Sequence, residues 1–258
     1  MTNKKKKLFW SIGGIVLIAL GVMAAIVVPD MIRDMRRFTQ TSISQNMELP
    51  AISDTTFTVN GVSFKMIGIR GGTIRCKGYT KEVELENFYL SETEVTQELW
   101  MAVMGSNPSI HNDSVALPVE NINLVDCANY IHRLDSILGG EFYIPSLPMW
   151  LYAACLGGNL MDSASCTDAI LDRMAWYQGN SGDSTHLVKG KQPNKIGLYD
   201  MIGNVAEWTI SGSDPLYHVV GGQYDSDIPE CLNVESVFFH GNLKCCNTGL
   251  RLAYMLIR

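Results

Sequence analysis

The sequence predicts an α+β protein: a single loop-rich domain carried behind one N-terminal transmembrane helix. Three observations predict it. Leu8–Val28 is an uncharged apolar run, short alternating segments from Thr55 onward give way to three capped helical patterns, and about 100 residues rich in Gly, Asn, Ser and Asp follow with only short apolar stretches. Roughly 205 residues beyond the linker suffice for one core that buries about 70% of its unfolded surface.

Leu8–Val28 holds 21 residues without a charge. At 1.5 Å per residue a helix of that length spans roughly 31 Å, close to the hydrocarbon core of a bilayer. Gly13, Gly14 and Gly21 would weaken a soluble helix but are common in membrane ones, and Trp10 sits at interfacial depth. A cleaved signal peptide has a shorter apolar stretch ending in a small-x-small site. Here Ala24-Ala25 runs into Ile26-Val27-Val28, which reads as an uncleaved anchor, and no cysteine precedes Cys76 to take a lipid. Lys4 to Lys7 lie before the run, while Arg33, Arg36 and Arg37 after it are diluted by Asp30 and Asp34. The excess of basic charge ahead of the span places residues 1–7 in the cytoplasm as a basic tail and residues 29–258 in the periplasm or outside the cell. The expected organisation is a transmembrane helix over 8–28, a juxtamembrane linker over 29–54 and a folded domain over 55–258.

Within the domain, Phe57 and Val59, then Asn60-Gly61, then Val62, Phe64 and Met66 form a hairpin signal, because Asn-Gly adopts the turn that joins two alternating strands. Gly71-Gly72 and Gly78 punctuate further strands, and Val83 to Tyr89 alternates again. Thr96 can cap a helix with Trp100, Val103 and Met104 on one face, stopped by Gly105 and Pro108. Asn123 can cap a second, with Leu124, Ala128, Ile131, Leu134 and Leu138 at helical spacing before Gly139-Gly140. Ser146 can cap a third, with Pro148 in the tolerated first turn and Met149 to Leu156 almost wholly apolar. Such a helix is buried on most sides. Leu250 to Ile257 reads as a closing strand.

Composition removes several functions. The chain is 47% hydrophobic and 18% charged with a mean hydropathy of +0.07, too apolar for disorder and too mixed for a polytopic membrane protein. Its net charge is −6 although four lysines are spent ahead of the anchor, so the body is acidic. Nucleic acid is thereby excluded as a main partner, since phosphate binding needs clustered Lys and Arg. The seven cysteines, Cys76, Cys127, Cys155, Cys166, Cys231, Cys245 and Cys246, are odd in number and specify no disulfide framework. With no CxxC, no HExxH and scattered histidines, zinc is not expected.

Several segments together resemble one family. Glu94-Val95-Thr96, Gly105-Ser106-Asn107-Pro108, Pro118-Val119-Glu120-Asn121, Pro145-Ser146 with Trp150 to Ala154, Ala175-Trp176-Tyr177, the long block Gly197 to Trp208, Val220-Gly221-Gly222 and Gly249 to Leu252 occur in the order found in formylglycine-generating enzymes, the sulfatase-modifying-factor family. The resemblance covers about Phe57 to Arg258, and the Gly197–Trp208 block is its most specific part. It implies a variant of the C-type-lectin-like fold. It also implies oxidation of a sulfatase cysteine to formylglycine by oxygen and a copper ion held by two thiolates, five positions apart, shortly after the Gly-Gly. In this chain the second thiolate falls on Cys231 and the first on Ser226. Two soft thiolates select Cu(I), and a serine hydroxyl stays protonated and hard, which argues against copper. Only pairing of Cys231 with Cys245 or Cys246 would rebuild a two-sulfur site.

Two further expectations follow from the resemblance. The Gly-Asn-x-x-Glu-Trp segment implies a calcium site supplied by carbonyls of Ile202, Gly203 and Val205 and by Glu207, a hard-oxygen set suited to that ion. A second family calcium site loses its asparagine to Trp176 and is expected to be absent. Where the family has acidic residues around the helix tryptophan, this chain has Leu147, Met149 and Leu151, which either enlarge the core or offer a partner-binding face. Val220 likewise replaces an arginine, and Phe142-Tyr143 a tyrosine-arginine pair. The expected role is a membrane-anchored, non-catalytic binding or assembly component of an envelope complex, as relatives in secretion and gliding machinery imply. The alternatives are a formylglycine-generating oxidase acting on an exported sulfatase, and a calcium-dependent glycan-binding module tested first at Asn204 and Glu207.

Overall fold

A computed structural model describes residues 42–48, 50–75, 82–156, 168–210, 217–227, 244 and 246–255, all within one compact unit. The basic tail and Leu8–Val28 lie outside the described residues. Among the described residues no helix is long and apolar enough to cross a membrane.

The first strand, β1 (Ser42–Gln45), falls inside the segment expected to be linker. The hairpin forms as its turn chemistry requires: β2 (Thr55–Val59) and β3 (Val62–Ile69) pair antiparallel in the register Val59↔Val62. Between them Asn60 and Gly61 have φ of 47° and 86°, the left-handed pair of a tight hairpin turn. After β4 (Gly72–Arg75), the alternating stretch Val83–Tyr89 proves to be two strands, β5 (Val83–Leu85) and β6 (Phe88–Ser91). They enter different sheets. β5 joins β4 and β1 in a three-stranded antiparallel sheet of order β1-β4-β5, whereas β6 pairs with β3.

The three helices begin where their caps place them, and the first two end at their glycines. Thr96 accepts from the Leu99 N–H at the head of α1 (Gln97–Met104), and Gly105 closes it in a left-handed conformation. Asn123 and Asp126 form a reciprocal capping box on α2 (Leu124–Leu138), which Gly139 ends. β7 (Phe142–Tyr143) leads into α3 (Leu147–Leu156), where the Ser146 hydroxyl caps the Met149 N–H. Every residue of α3 from Leu147 to Cys155 is buried.

The loop-rich remainder holds a short helix, α4 (Asp168–Met174), and four short strands: β8 (Ala206–Ile210), β9 (Tyr217–Val220), β10 (Thr248–Gly249) and β11 (Ala253–Tyr254). Of the expected closing strand, Ala253 and Tyr254 form β11 among the described residues and Leu250 is held by the isolated bond from the Val95 N–H to its carbonyl; Leu256 and Ile257 lie outside the described residues. β11 completes a five-stranded sheet of order β2-β3-β6-β11-β7, and β8 centres a third sheet of order β10-β8-β9. The main core lies between the five-stranded sheet and α1 and α2. In it Trp100 stacks on Tyr130 with centroids 4.7 Å apart, and Phe57 packs against Phe64, Phe142 and Tyr254.

Candidate functional site

The block from Gly197 to Trp208 folds inward instead of lying on the surface. Asp200, Gly203 and Asn204 have φ of 55°, 76° and 62°. At Gly203 a Cβ would stand 2.0 Å from the Trp176 carbonyl oxygen, so only glycine allows the approach. Asn204 then ties three segments: its N–H donates to the Trp176 carbonyl, its side chain accepts the His186 N–H and donates to the His186 carbonyl, and its own carbonyl accepts from Tyr224. This turn feeds β8 into the interior with Glu207 pointing at Arg251.

Glu207 and Arg251 form a fully buried ion pair. The Arg251 Nη2 lies 2.7 Å from Glu207 Oε1 and its Nε 2.9 Å from Oε2; Trp150 Nε1 donates to Oε2 at 2.6 Å. The remaining guanidinium donors reach the Ser91 and Tyr199 carbonyls, each at 2.8 Å. Arg251 thus joins β6, the Leu198–Asp200 turn, α3 through Trp150, and β8. Two more carboxylates are buried in the field of this pair. Asp200 accepts the Lys189 N–H on Oδ2, but its Oδ1 and both oxygens of Glu94 have no hydrogen-bond partner among the described residues. Burial and then the charge of Asp200 push the Glu94 carboxyl well above the usual carboxylate range, and burial raises Asp200 to about 6. The cluster therefore holds one firm ion pair and two carboxyl groups that release their protons at higher pH than exposed carboxylates do.

Ile202, Gly203, Val205 and Glu207 are brought together and buried. The glutamate, however, faces donors. Calcium collects six to eight oxygens, and reaching Glu207 would mean displacing Arg251 and the Trp150 N–H from both carboxylate oxygens. A calcium ion held by Glu207 does not fit this arrangement, and among the described residues no group of three or more His, Cys, Asp or Glu is placed to hold a metal. Trp176, at the lost second calcium position, stacks on His186 with ring centroids 3.7 Å apart, and the Lys191 ammonium lies 3.9 Å from its ring centroid.

At the copper position Ser226 is buried and spent on local structure. Its hydroxyl accepts the Gln223 N–H at 3.2 Å, its N–H donates to the Gln223 carbonyl and its carbonyl accepts from Gln178. A hydroxyl fixed in a turn supplies no thiolate, so this half of the pair does not fit copper. Cys231 and Cys245 lie outside the described residues; Cys246 is exposed.

Leu147, Met149 and Leu151 do not form a partner-binding face. They are 3%, 7% and 2% exposed, because α3 is enclosed on all sides and the apolar replacements fill interior volume. Val220 and Phe142 are buried as well. The residues that organise the centre, Glu94, Asp200 and Arg251, stood in quoted motifs without an assigned role. A charge flanked by apolar residues, as in Leu250-Arg251-Leu252, was the signal available.

A loop-rich α+β domain folded around a buried glutamate–arginine pair, with its Gly-Asn turn directed inward, defines the class. The sulfatase-modifying factor enzyme 1-like domain model matches residues 54–255, and the chain belongs to that family. Among solved structures it is similar to Treponema denticola variable protein 1, at 30% identity over 79% of this chain and 99% of that one, with a TM-score of 0.71. CarF (19% identity, 75% and 99% coverage, TM-score 0.60) and PvdO from Pseudomonas aeruginosa (16%, 78% and 98%, 0.58) share the fold. A chaperone protein, LppX of Paenibacillus barcinonensis, is 28% identical over 61% of this chain and 71% of its own.

Proposed function

We propose that this chain is a non-catalytic sulfatase-modifying-factor-like domain that binds or assembles another envelope protein, tethered by Leu8–Val28 with residues 29–258 in the periplasm or outside the cell. The observation that carries the reading is Ser226: the position of the first family thiolate holds a buried hydroxyl committed to a turn with Gln223. A domain that keeps the fold and lacks one of two required sulfurs retains its surface as its working part. The relative named a chaperone protein supports a role in protein binding.

The test has two arms. Incubated with a CxPxR peptide, copper and oxygen, the purified chain is expected to yield no aldehyde above background, and purification in mild detergent is expected to bring down a stoichiometric protein partner. Turnover of the peptide would establish the oxidase instead, with its second sulfur supplied from elsewhere in the chain. A persistently lone monomer would remove the assembly role.

A further inference from the structure

The ladder on each side of β3 fixes where its backbone groups point. Val59↔Val62 closes the Asn60-Gly61 turn, and Phe57↔Phe64 and Thr55↔Met66 follow it. The even-numbered residues of β3 therefore exchange hydrogen bonds with β2, and the odd-numbered ones face the opposite edge. On that edge β6 pairs only with Met66–Ile69, and the last rung is the Glu92 N–H donating to the Lys65 carbonyl at 2.9 Å. The chain then turns away, with the Glu92 carbonyl accepting from Tyr199 and the Val95 N–H bonding Leu250. The Lys65 N–H and both backbone groups of Ser63 are left facing past the end of β6, with no partner among the described residues.

A cavity of about 550 Å³ occupies this place. It is lined by Val62 and Phe64, which project to one face of the sheet, and by Ser63 and Lys65, which project to the other. A cavity touched by both faces of one strand lies in the plane of the sheet, at its edge. Val95 and Leu99 form an apolar part of the far wall. Around the rim Lys65 and Lys189 both reach Glu92 and Lys65 also reaches Asp54 at 2.8 Å, while the exposed Glu98 carboxylate also lines the cavity and forms no ion pair among the described residues.

We propose that this slot receives an extended segment without acidic side chains from a partner protein, added as a strand beside Ser63 and Lys65; the inference rests on the assembly reading above and names the surface that performs it. The open backbone groups select the occupant. A strand offers N–H and C=O at ladder spacing, whereas a helix has spent its own internally. Three residues of exposed edge correspond to roughly 10 Å, so the added strand engages about three residues. An acidic segment would meet the like charge of Glu98, while Lys65 and Lys189 are already engaged by Glu92 and Asp54.

The probe is a displayed library of short linear peptides panned against the full-length chain in mild detergent. Enriched peptides are expected to bind the wild type and Ser63→Ala alike and to bind Ser63→Pro about tenfold more weakly or worse, because proline deletes the N–H that faces the slot. The ladder to β2 survives, since Ser63 gives it no bond, and Ser63→Ala controls for the lost hydroxyl contact with Thr58. Amide exchange on the wild type gives an independent readout: the Ser63 and Lys65 amides should exchange rapidly in the free chain and slow in the peptide complex. Peptides indifferent to Ser63→Pro would overturn the proposal, as would protection of both amides in the free chain, which would mean that a segment of this chain already fills the slot. If a partner copurifies equally with wild type and Ser63→Pro, the slot is wrong and the assembly reading stands; if no partner copurifies at all, the assembly reading itself fails.

Discussion

The stretch from Thr55 to Leu138 and the stretch from Ala175 to Tyr254 are held together by different forces. The first is built from a tight-turn hairpin and two capped helices whose apolar stripes meet at Trp100, Tyr130 and Leu134. Its helices use polar groups at their ends, and its buried Gln97 and Glu120 tie down the single loop between them through the His111 and Pro118 carbonyls and the Ile110 and His111 N–H groups. In the second, described strands run only two to five residues, and order comes from side chains bonded to backbone: Asn204 to His186, Asp200 to Lys189, Asn194 to Leu198, and Arg251 to Ser91 and Tyr199. Apolar packing degrades in proportion to the volume removed, because neighbours partly collapse into the gap. A buried polar network does not, because removing one member strands its partner without water.

The largest effect is therefore expected at the ion pair. Arg251→Met leaves Glu207 buried with only the Trp150 donor and releases the Ser91 and Tyr199 carbonyls. A loss of about 3–5 kcal/mol follows, a large share of the 5–15 kcal/mol typical of a whole domain. Chemical denaturation measures it. Adding Glu207→Leu to Arg251→Met should restore part of the loss, since the stranded charge is the main penalty; a double variant worse than the single by a further similar amount would show that packing around Arg251 matters more than its charge.

In the apolar half the matching cut is Leu134→Ala, at a fully buried position on α2. It should cost about 3 kcal/mol and leave a folded, cooperative domain. Should Leu134→Ala abolish folding while Arg251→Met is tolerated, the contrast between the two halves is reversed.

The second stretch should also carry a distinctive pH response. Asp200 ionises near 3.8 when unfolded and at about 6 in the native domain, and Glu94 shifts in the same direction through burial and the nearby Asp200 charge. Between those values the native state holds more protons than the unfolded chain, so stability falls as pH rises. The Asp200 contribution is complete below about pH 4 and lost through about pH 6. Thermal unfolding should show a decline of about 2 kcal/mol from Asp200 between pH 4.5 and 7.5, abolished by Asp200→Asn. An unchanged profile in Asp200→Asn would assign the response elsewhere.

This division also decides what could be read from the residues alone. The hairpin, the three helices and their caps were legible because each rests on a local rule: Asn60-Gly61 for the turn, Thr96, Asn123 and Ser146 for the starts, Gly105 and Gly139 for the stops. Val83–Tyr89 misled because alternation persists across the break between β5 and β6, and periodicity carries no information about which sheet a strand joins. Leu147, Met149 and Leu151 show the same limit, since an apolar helix reads alike whether it packs inward or waits for a partner. At the centre, Glu207 was recognisable but its partner was not. Arg251 is 44 positions away, and nothing local states that its guanidinium rather than a cation would meet the carboxylate. The slot beside Ser63 was invisible for a related reason: it exists only because β6 ends before β3 does.

The smallest predicted effect sets two asparagines against each other. Asn123 caps α2 from outside, accepting the Asp126 N–H at 2.9 Å while Asp126 accepts the Asn123 N–H in return. Asn123→Ala should cost about 1 kcal/mol, and Asn123→Ser almost nothing, because any short oxygen-bearing side chain can take that N–H. Asn204 has the same side chain but is wholly buried, sits at φ 62° and uses its oxygen and its amide nitrogen together on the His186 backbone. Serine cannot supply both at that reach, so Asn204→Ser should lose about 2 kcal/mol. Equal tolerance of serine at the two positions, read from urea midpoints at constant slope, would mean that water replaces the lost side chain at 204, and that the Gly203-Asn204 turn is wetter than its burial implies.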